Sequence, residues 1–218
     1  MIGIVDGFVT EKYGRGRYTR EQVESIVHNL QRLARVPGPS DQDAPAVPMI
    51  FVELMLRQAD VRITEDSGLG GLPTSSLELF EQHALDVLRN SSDREEAIES
   101  ARLAARVCLA PDYIPKLQSR TEFDESGLSR EAMDELLTSG LMMRLGTDAD
   151  PRYRFTLDPV AEYLVATWEV IKARSNPGAR AALSSLLDGL EKKPDDLRPK
   201  GLLNAISECL ALEDAVLD

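Results

Sequence analysis

The sequence predicts a mainly α-helical protein interrupted by one small β-hairpin, and three observations carry that expectation. Aromatic residues are only 5% of a chain that is 43% apolar, so the core must be built from Leu, Val, Ile and Ala. That composition favours helices over sandwiches and barrels. Apolar side chains recur at helical spacing behind capping residues along most of the chain. Only the stretch 141–156 breaks this rhythm, with two short runs around turn residues.

Taken in order, Ile4, Val5, Phe8 and Val9 form an apolar face at helical spacing that ends near Gly14 and Gly16. This face has no cap before it, which suggests that Met1 lies inside a longer protein. Thr19 and Gln22 fit a capping box, followed by a single stripe of Val23, Ile26, Val27, Leu30, Leu33 and Ala34. VPGPS at 36–40 ends this helix, and 40–46 is a polar loop. Residues 47–58 are apolar nearly all round, so they predict a helix buried on most sides, with Pro48 in its first turn. Residues 60–73, with three glycines, read as a loop.

Ser75 and Glu78 predict a capping box for a helix presenting Leu77, Phe80, Ala84, Val87 and Leu88. Ser92 and Glu95 predict another, opening a helix to about Leu109. Its Ala97, Ala101, Ala104 and Ala105 allow a neighbouring helix to approach closely. Pro111 and Pro115 break the chain, and Phe123 in TEFD reads as an edge strand. Ser129 caps a short helix with Met133, Leu136 and Leu137 facing in, closed at Ser139-Gly140. LMMRL at 141–145 and YRFT at 153–156 read as strands around the turn 146–151. Asp158 then caps a helix with Pro159 at its first position and Val160, Tyr163, Leu164, Thr167, Trp168 and Ile171 at helical spacing. Two more helices are expected at about 179–190 and 199–212, separated by EKKPDDLRP.

The chemistry that this sequence excludes is equally informative. There is no G-x-S-x-G, no GxxxxGK(S/T), and neither His28 nor His83 has metal-ligand spacing around it, so no catalytic residue and no metal site is expected. Cys108 and Cys209 sit among apolar residues and read as two buried thiols in a reducing cytoplasm. No basic and apolar leader opens the chain and no stretch is apolar enough to span a bilayer, so the expected location is cytoplasmic, with no membrane partner. The net charge of −12 argues against phosphate backbones.

Helix, strand, helix and a two-stranded wing is the winged-helix arrangement of the helix-turn-helix class. The helix at 129–139 would then be the recognition helix, but it sets Arg130 against Glu131, Asp134 and Glu135. DNA-reading helices supply Arg, Lys, Asn or Gln instead, and the wing tip from Asp148 to Asp150 is acidic too.

LLTSGLMMRL…YRFTLDPVAEYLVA resembles the winged-helix segment of the STAND signal-transducing ATPases, their NACHT branch in particular. VPMIFVELML is similar to the proline-led helix of the ATPase lid, and LPTSSLELFEQHALDVLR to the helix between lid and winged helix. The three occur in the family's order over about residues 45–168. The resemblance implies a lid-like helical bundle over 1–90, a winged-helix domain over 91–174, and C-terminal helices over 175–218 that could open a helical repeat array. It implies a non-catalytic switch that follows the nucleotide state of an upstream P-loop domain, with ATP or ADP bound only there. Pro48 matches the lid proline near adenine, and Leu157 stands where the family places a phosphate-sensing His. Glu162 and Tyr163 match the family's EY pair, an interdomain latch; the plainer alternative has Tyr163 packing and Glu162 exposed or paired with an Arg.

The expected partners are thus an upstream nucleotide-binding domain or another protein, with self-association in isolation through the uncovered apolar face. Two other readings remain open at this level: a free-standing winged-helix protein that binds nucleic acid or acts in transcription, and a helical protein–protein adaptor.

Overall fold

The computed structural model describes residues 16–33, 49–65, 67–195 and 197–217, with Gly7 and Thr10, and for 212–217 the backbone alone. The helix expected from Ile4, Val5, Phe8 and Val9, the break at 36–40, the loop at 40–46 and Pro48 all lie outside these residues. The protein is mainly helical with a small three-stranded antiparallel sheet and C-terminal helices, as its composition predicts. Two compact units divide it, Met1–His83 and Ala84–Asp218.

In the first unit, helix α1 (Arg20–Leu33) starts at the expected capping box. The Thr19 N–H donates to Gln22 Oε1 at 2.7 Å and the Gln22 N–H to Thr19 Oγ1 at 3.2 Å, which satisfies donors the first turn leaves open. Val23, Ile26, Val27, Leu30 and Leu33 are buried, and α1 packs on helix α2 (Met49–Thr64). Burial on α2 takes in Val52, Leu54, Met55, Leu56, Gln58 and Ala59, close to the all-round pattern expected. However, α2 runs six residues past the expected end at 58. No Gly or Pro interrupts DVRIT, and Thr64 Oγ1 donates back to the Asp60 carbonyl at 2.8 Å. The first break is Gly68, at φ 67°. Helix α3 (Ser76–Val87) follows a modified box: the Glu78 N–H donates to Ser75 Oγ, but the Glu78 carboxylate accepts from the N–H and hydroxyl of Thr74. Leu79 and Phe80 are buried while Leu77 is only half-buried, so the inner face is turned relative to the expected one.

The second unit begins at Ala84, within α3, and its first whole helix is α4 (Arg94–Leu109). Its N-cap is Asp93, which accepts from the Glu95 and Glu96 N–H groups, and not the expected Ser92. Strand β1 (Gln118–Ser119), helices α5 (Arg120–Ser126) and α6 (Arg130–Thr138), and strands β2 (Met142–Thr147) and β3 (Asp150–Phe155) follow. TEFD is therefore helical, and the edge strand lies just before it. Ser119 explains the difference: its N–H and hydroxyl both donate to the Glu122 carboxylate, at 2.6 and 2.9 Å, and this clamp starts a helix. Gly127 ends α5 at φ 89°.

The sheet order is β1-β3-β2, antiparallel throughout. Together with α4, α5 and α6 this gives the winged-helix order of elements. The hairpin is longer than expected, with a turn of only Asp148 and Ala149. Gly146 pairs with Pro151 at φ 85°, and a Cβ there would meet the Asp150 carbonyl. Met142 pairs with Phe155 on the inner face, and two residues along, Arg144 pairs with Tyr153. Phe123, fully buried, meets Tyr153 edge-on with ring centroids 6.1 Å apart. The Gln118 side chain, also buried, donates to the Val107 carbonyl at 2.8 Å and so ties β1 to the end of α4.

Helix α7 (Asp158–Ser175) carries Val160, Ala161, Tyr163, Leu164, Val165, Ala166, Val170 and Ala173 into the core. It packs against α4, helix α8 (Pro177–Glu191), helix α9 (Lys200–Leu217) and β3. Leu157, not Asp158, is its N-cap, with extended φ and ψ, and Asp158 in the first turn accepts from Arg154 Nη2 at 2.5 Å. Ala97, Ala101, Ala104 and Ala105 of α4 are all buried, the close approach their size allows. The Trp168 ring lies under Lys172 Nζ at 4.4 Å and near Arg106 of α4 at 5.8 Å.

Phe123→Ala is expected to lower stability by about 3–5 kcal/mol, since it empties the space between α5 and the sheet. Urea denaturation followed by circular dichroism measures it; a loss below about 1 kcal/mol would be at odds with this packing.

Candidate interaction site

A groove of about 690 Å³ lies in the second unit between α5, α6 and the hairpin. Its volume is within the range of about 300–1,000 Å³ typical of ligand sites. Arg120 and Asp124 of α5 stand on one side, and Arg130, Asp134 and Leu137 of α6 on another. Arg144 of β2 and Tyr153 of β3 close it, with Gly127, Leu128 and Ser129 at the turn between the helices. The local structure explains this placement. Ser129 caps α6 by accepting from the Ala132 N–H at 3.0 Å, which fixes Arg130 at the helix start. The β2–β3 register sets Arg144 beside Tyr153 on the inner face.

Three guanidinium groups therefore share one recess with two carboxylates. Arg120 Nε donates to Asp124 at 2.8 Å, and Arg144 Nη2 donates to Asp148 at 2.6 Å. Arg130 makes no ion pair among the described residues and is exposed. Outside the groove, Glu131 of α6 and Asp148 and Asp150 at the wing tip are exposed carboxylates. The acidity of this surface was expected from sequence; the basic groove within it was not.

Leu157, Glu162 and Tyr163, singled out from the sequence, do not line this groove. Pro48 is outside the described residues. Leu157 is half-buried at the start of α7 and offers no polar side-chain atom. Tyr163 is buried in the α7 core. Glu162 lies within the second unit against Gly201, in the first turn of α9, where a Cβ would collide with its carboxylate. Burial pushes this carboxyl up to about 7, with a further contribution from Asp158 one turn earlier.

Among the described residues no group of three His, Cys, Asp or Glu side chains could hold a metal ion, and no helix is long and apolar enough to cross a membrane. Cys108 and Cys209 are both buried and no disulfide joins them. Burial raises the Cys108 thiol to about 12, so it is not available as a thiolate nucleophile near neutral pH. His28 is exposed on α1 and His83 is buried on α3. Compared with known proteins, the chain matches no family model and no curated protein.

The Glu162 carboxyl sets a direction for stability with pH. The folded chain holds this proton more tightly than the unfolded one, so the contribution is complete below about 4.5 and is lost as pH rises through about 7. Glu162→Gln should remove that loss and give a higher Tm than the native chain at pH 8, by a few degrees, with the gap closing towards pH 4.5. Thermal melts at a series of pH values test this; a Tm difference independent of pH would contradict it.

Proposed function

We infer that this chain is a non-catalytic regulatory module of a STAND/NACHT-like NTPase, working through protein contacts made by its winged helix and the helices around it. The observation that carries the interaction role is the charge of α6. A winged helix with Glu131, Asp134 and Glu135 around Arg130 at its recognition position repels a phosphate backbone and suits a protein surface. The NTPase assignment rests on the three sequence stretches that resemble lid, connecting helix and winged helix in the family's order.

In this reading the chain has a conformational task. A nucleotide-binding domain upstream holds ATP or ADP, and the lid-like helices and winged helix respond to its state. Leu157, with no donor to offer a phosphate, does not fit the family's sensing contact, and no nucleotide step is assigned to it. Its half-buried aliphatic side chain is a packing element at the start of α7. No membrane contact enters the mechanism, and the expected setting is the cytoplasm.

Two measurements test this reading. The gene upstream of the Met1 codon should continue in frame into a GxxxxGK(S/T) sequence; a stop codon there would leave the free-standing helical adaptor as the better account. In a fluorescence anisotropy titration at low salt, a labelled DNA duplex should bind no more tightly than about 10⁻⁴ M, the weak end of non-specific binding. Tighter, salt-dependent binding would favour the nucleic-acid reading.

A further inference from the structure

The geometry points to the groove between α5, α6 and the hairpin as a docking site for a short acidic peptide of a partner protein. Arg120, Arg130 and Arg144 hold its carboxylates. The choice of a protein partner rests on the interaction role proposed above, but the site does not depend on an upstream NTPase.

Charge is the first argument. The chain as a whole carries −12, yet three of the five charged side chains lining this groove are arginines. A guanidinium presents N–H donors in a planar fork that fits a carboxylate with two parallel hydrogen bonds. Arg120 and Arg144 each engage one aspartate through a single nitrogen, Nε and Nη2 respectively, so their other N–H groups are available. Arg130 engages no carboxylate among the described residues. It is anchored by its place directly after the Ser129 cap, so little backbone ordering is needed on binding.

Shape is the second argument. Leu137, half-buried at the wall of the groove, supplies apolar surface beside the arginines, so a peptide can cover it with an aliphatic side chain while its acids are gripped. The recess lies among acidic surroundings: Glu131 and Glu135 on α6, Asp148 and Asp150 at the wing tip. A DNA duplex wide enough to seat a helix in its major groove, about 12 Å across, would span both α6 and the wing and press phosphates against those carboxylates. A single extended peptide fits within the groove, where Arg120, Arg130 and Arg144 face it with only Asp124 and Asp134 beside them. The surrounding acids then select against polyanions too broad to fit, a repulsive element of the kind specific sites use.

The experiment uses the whole chain and fluorescein-labelled hexaglutamate as probe, with hexalysine and a labelled DNA duplex as controls. Anisotropy should report binding at low salt that weakens as salt is added. Amide spectra of the ¹⁵N-labelled chain should shift at Gly127, Leu128, Ser129 and Tyr153. Arg130→Glu, which adds an acid to the first turn of α6 where the helix tolerates it, should lower affinity about tenfold or more. Arg32→Glu, the same charge change on the exposed side of α1, should change it by less than about twofold. Circular dichroism checks that both variants are folded. The proposal is overturned if the groove amides do not shift, if both variants weaken binding equally, if hexalysine binds as well, or if DNA binds more tightly than the peptide. Loss of the peptide site without DNA binding would leave the interaction role standing; tight DNA binding would remove both.

Discussion

Helix α7 is buried along most of its length, and the second unit is arranged to cover it. A helix with Val160, Ala161, Tyr163, Leu164, Val165 and Ala166 inward over two turns has almost no face to offer water. Four neighbours share the task. α4 brings alanines that permit close approach, β3 brings Phe155, and α8 and α9 cover the remainder. Apolar burial of about 25 cal/mol per Å² makes this the main source of the unit's stability. The winged-helix elements thus have a firm base. The C-terminal helices belong to the same core, because without them α7 would expose an apolar flank.

On that base sits a surface sorted by charge. Most acidic side chains face solvent, and several arginines answer them locally through pairs four residues apart, as at Arg120–Asp124, Arg144–Asp148 and Arg154–Asp158. Exposed pairs of this kind contribute little to stability, about 0–1 kcal/mol each. Their effect is on arrangement. Arg154 holds Asp158 at the start of α7, and Arg144 pairs with Asp148 at the wing tip. A protein that repels most polyanions over its surface can in this way still keep one concave place where cations outnumber acids.

Much of the architecture could be read from residue order because it rests on local rules. The stripe from Val23 to Leu33 and the Thr19–Gln22 box are periodicity and capping, and both are found as expected. The same rules misled where two signals overlapped. Phe123 among polar residues read as an edge strand, while the Ser119–Glu122 clamp just before it decided for a helix. DVRIT has no strong stop signal, so α2 continues to Thr64. The groove was not legible at all. Arg120, Arg130 and Arg144 are far apart in sequence and each sits beside an acid, so only the β2–β3 register and the α5–α6 turn bring them together. Glu162 was singled out for its match to a sequence pattern, whereas its raised titration comes from burial and from Asp158, and it lies against Gly201 in a helix that periodicity alone could not dock onto α7.

The place of β2 at the end of the sheet has a consequence for the protein in solution. An edge strand presents a row of unused N–H and C=O groups, and a flat, apolar one invites another chain to add to it. β2 starts apolar at Met142 and Met143, which would make it such a template. Its second half does not let the row continue. Gly146, at φ 85°, turns the backbone out of the extended line, and Arg144 with Asp148 places opposite charges along the same margin. An incoming strand could match only the first two or three residues before losing register. The exposed end of the hairpin, from Arg144 to Asp150, is therefore open to partners without offering a full strand as a template.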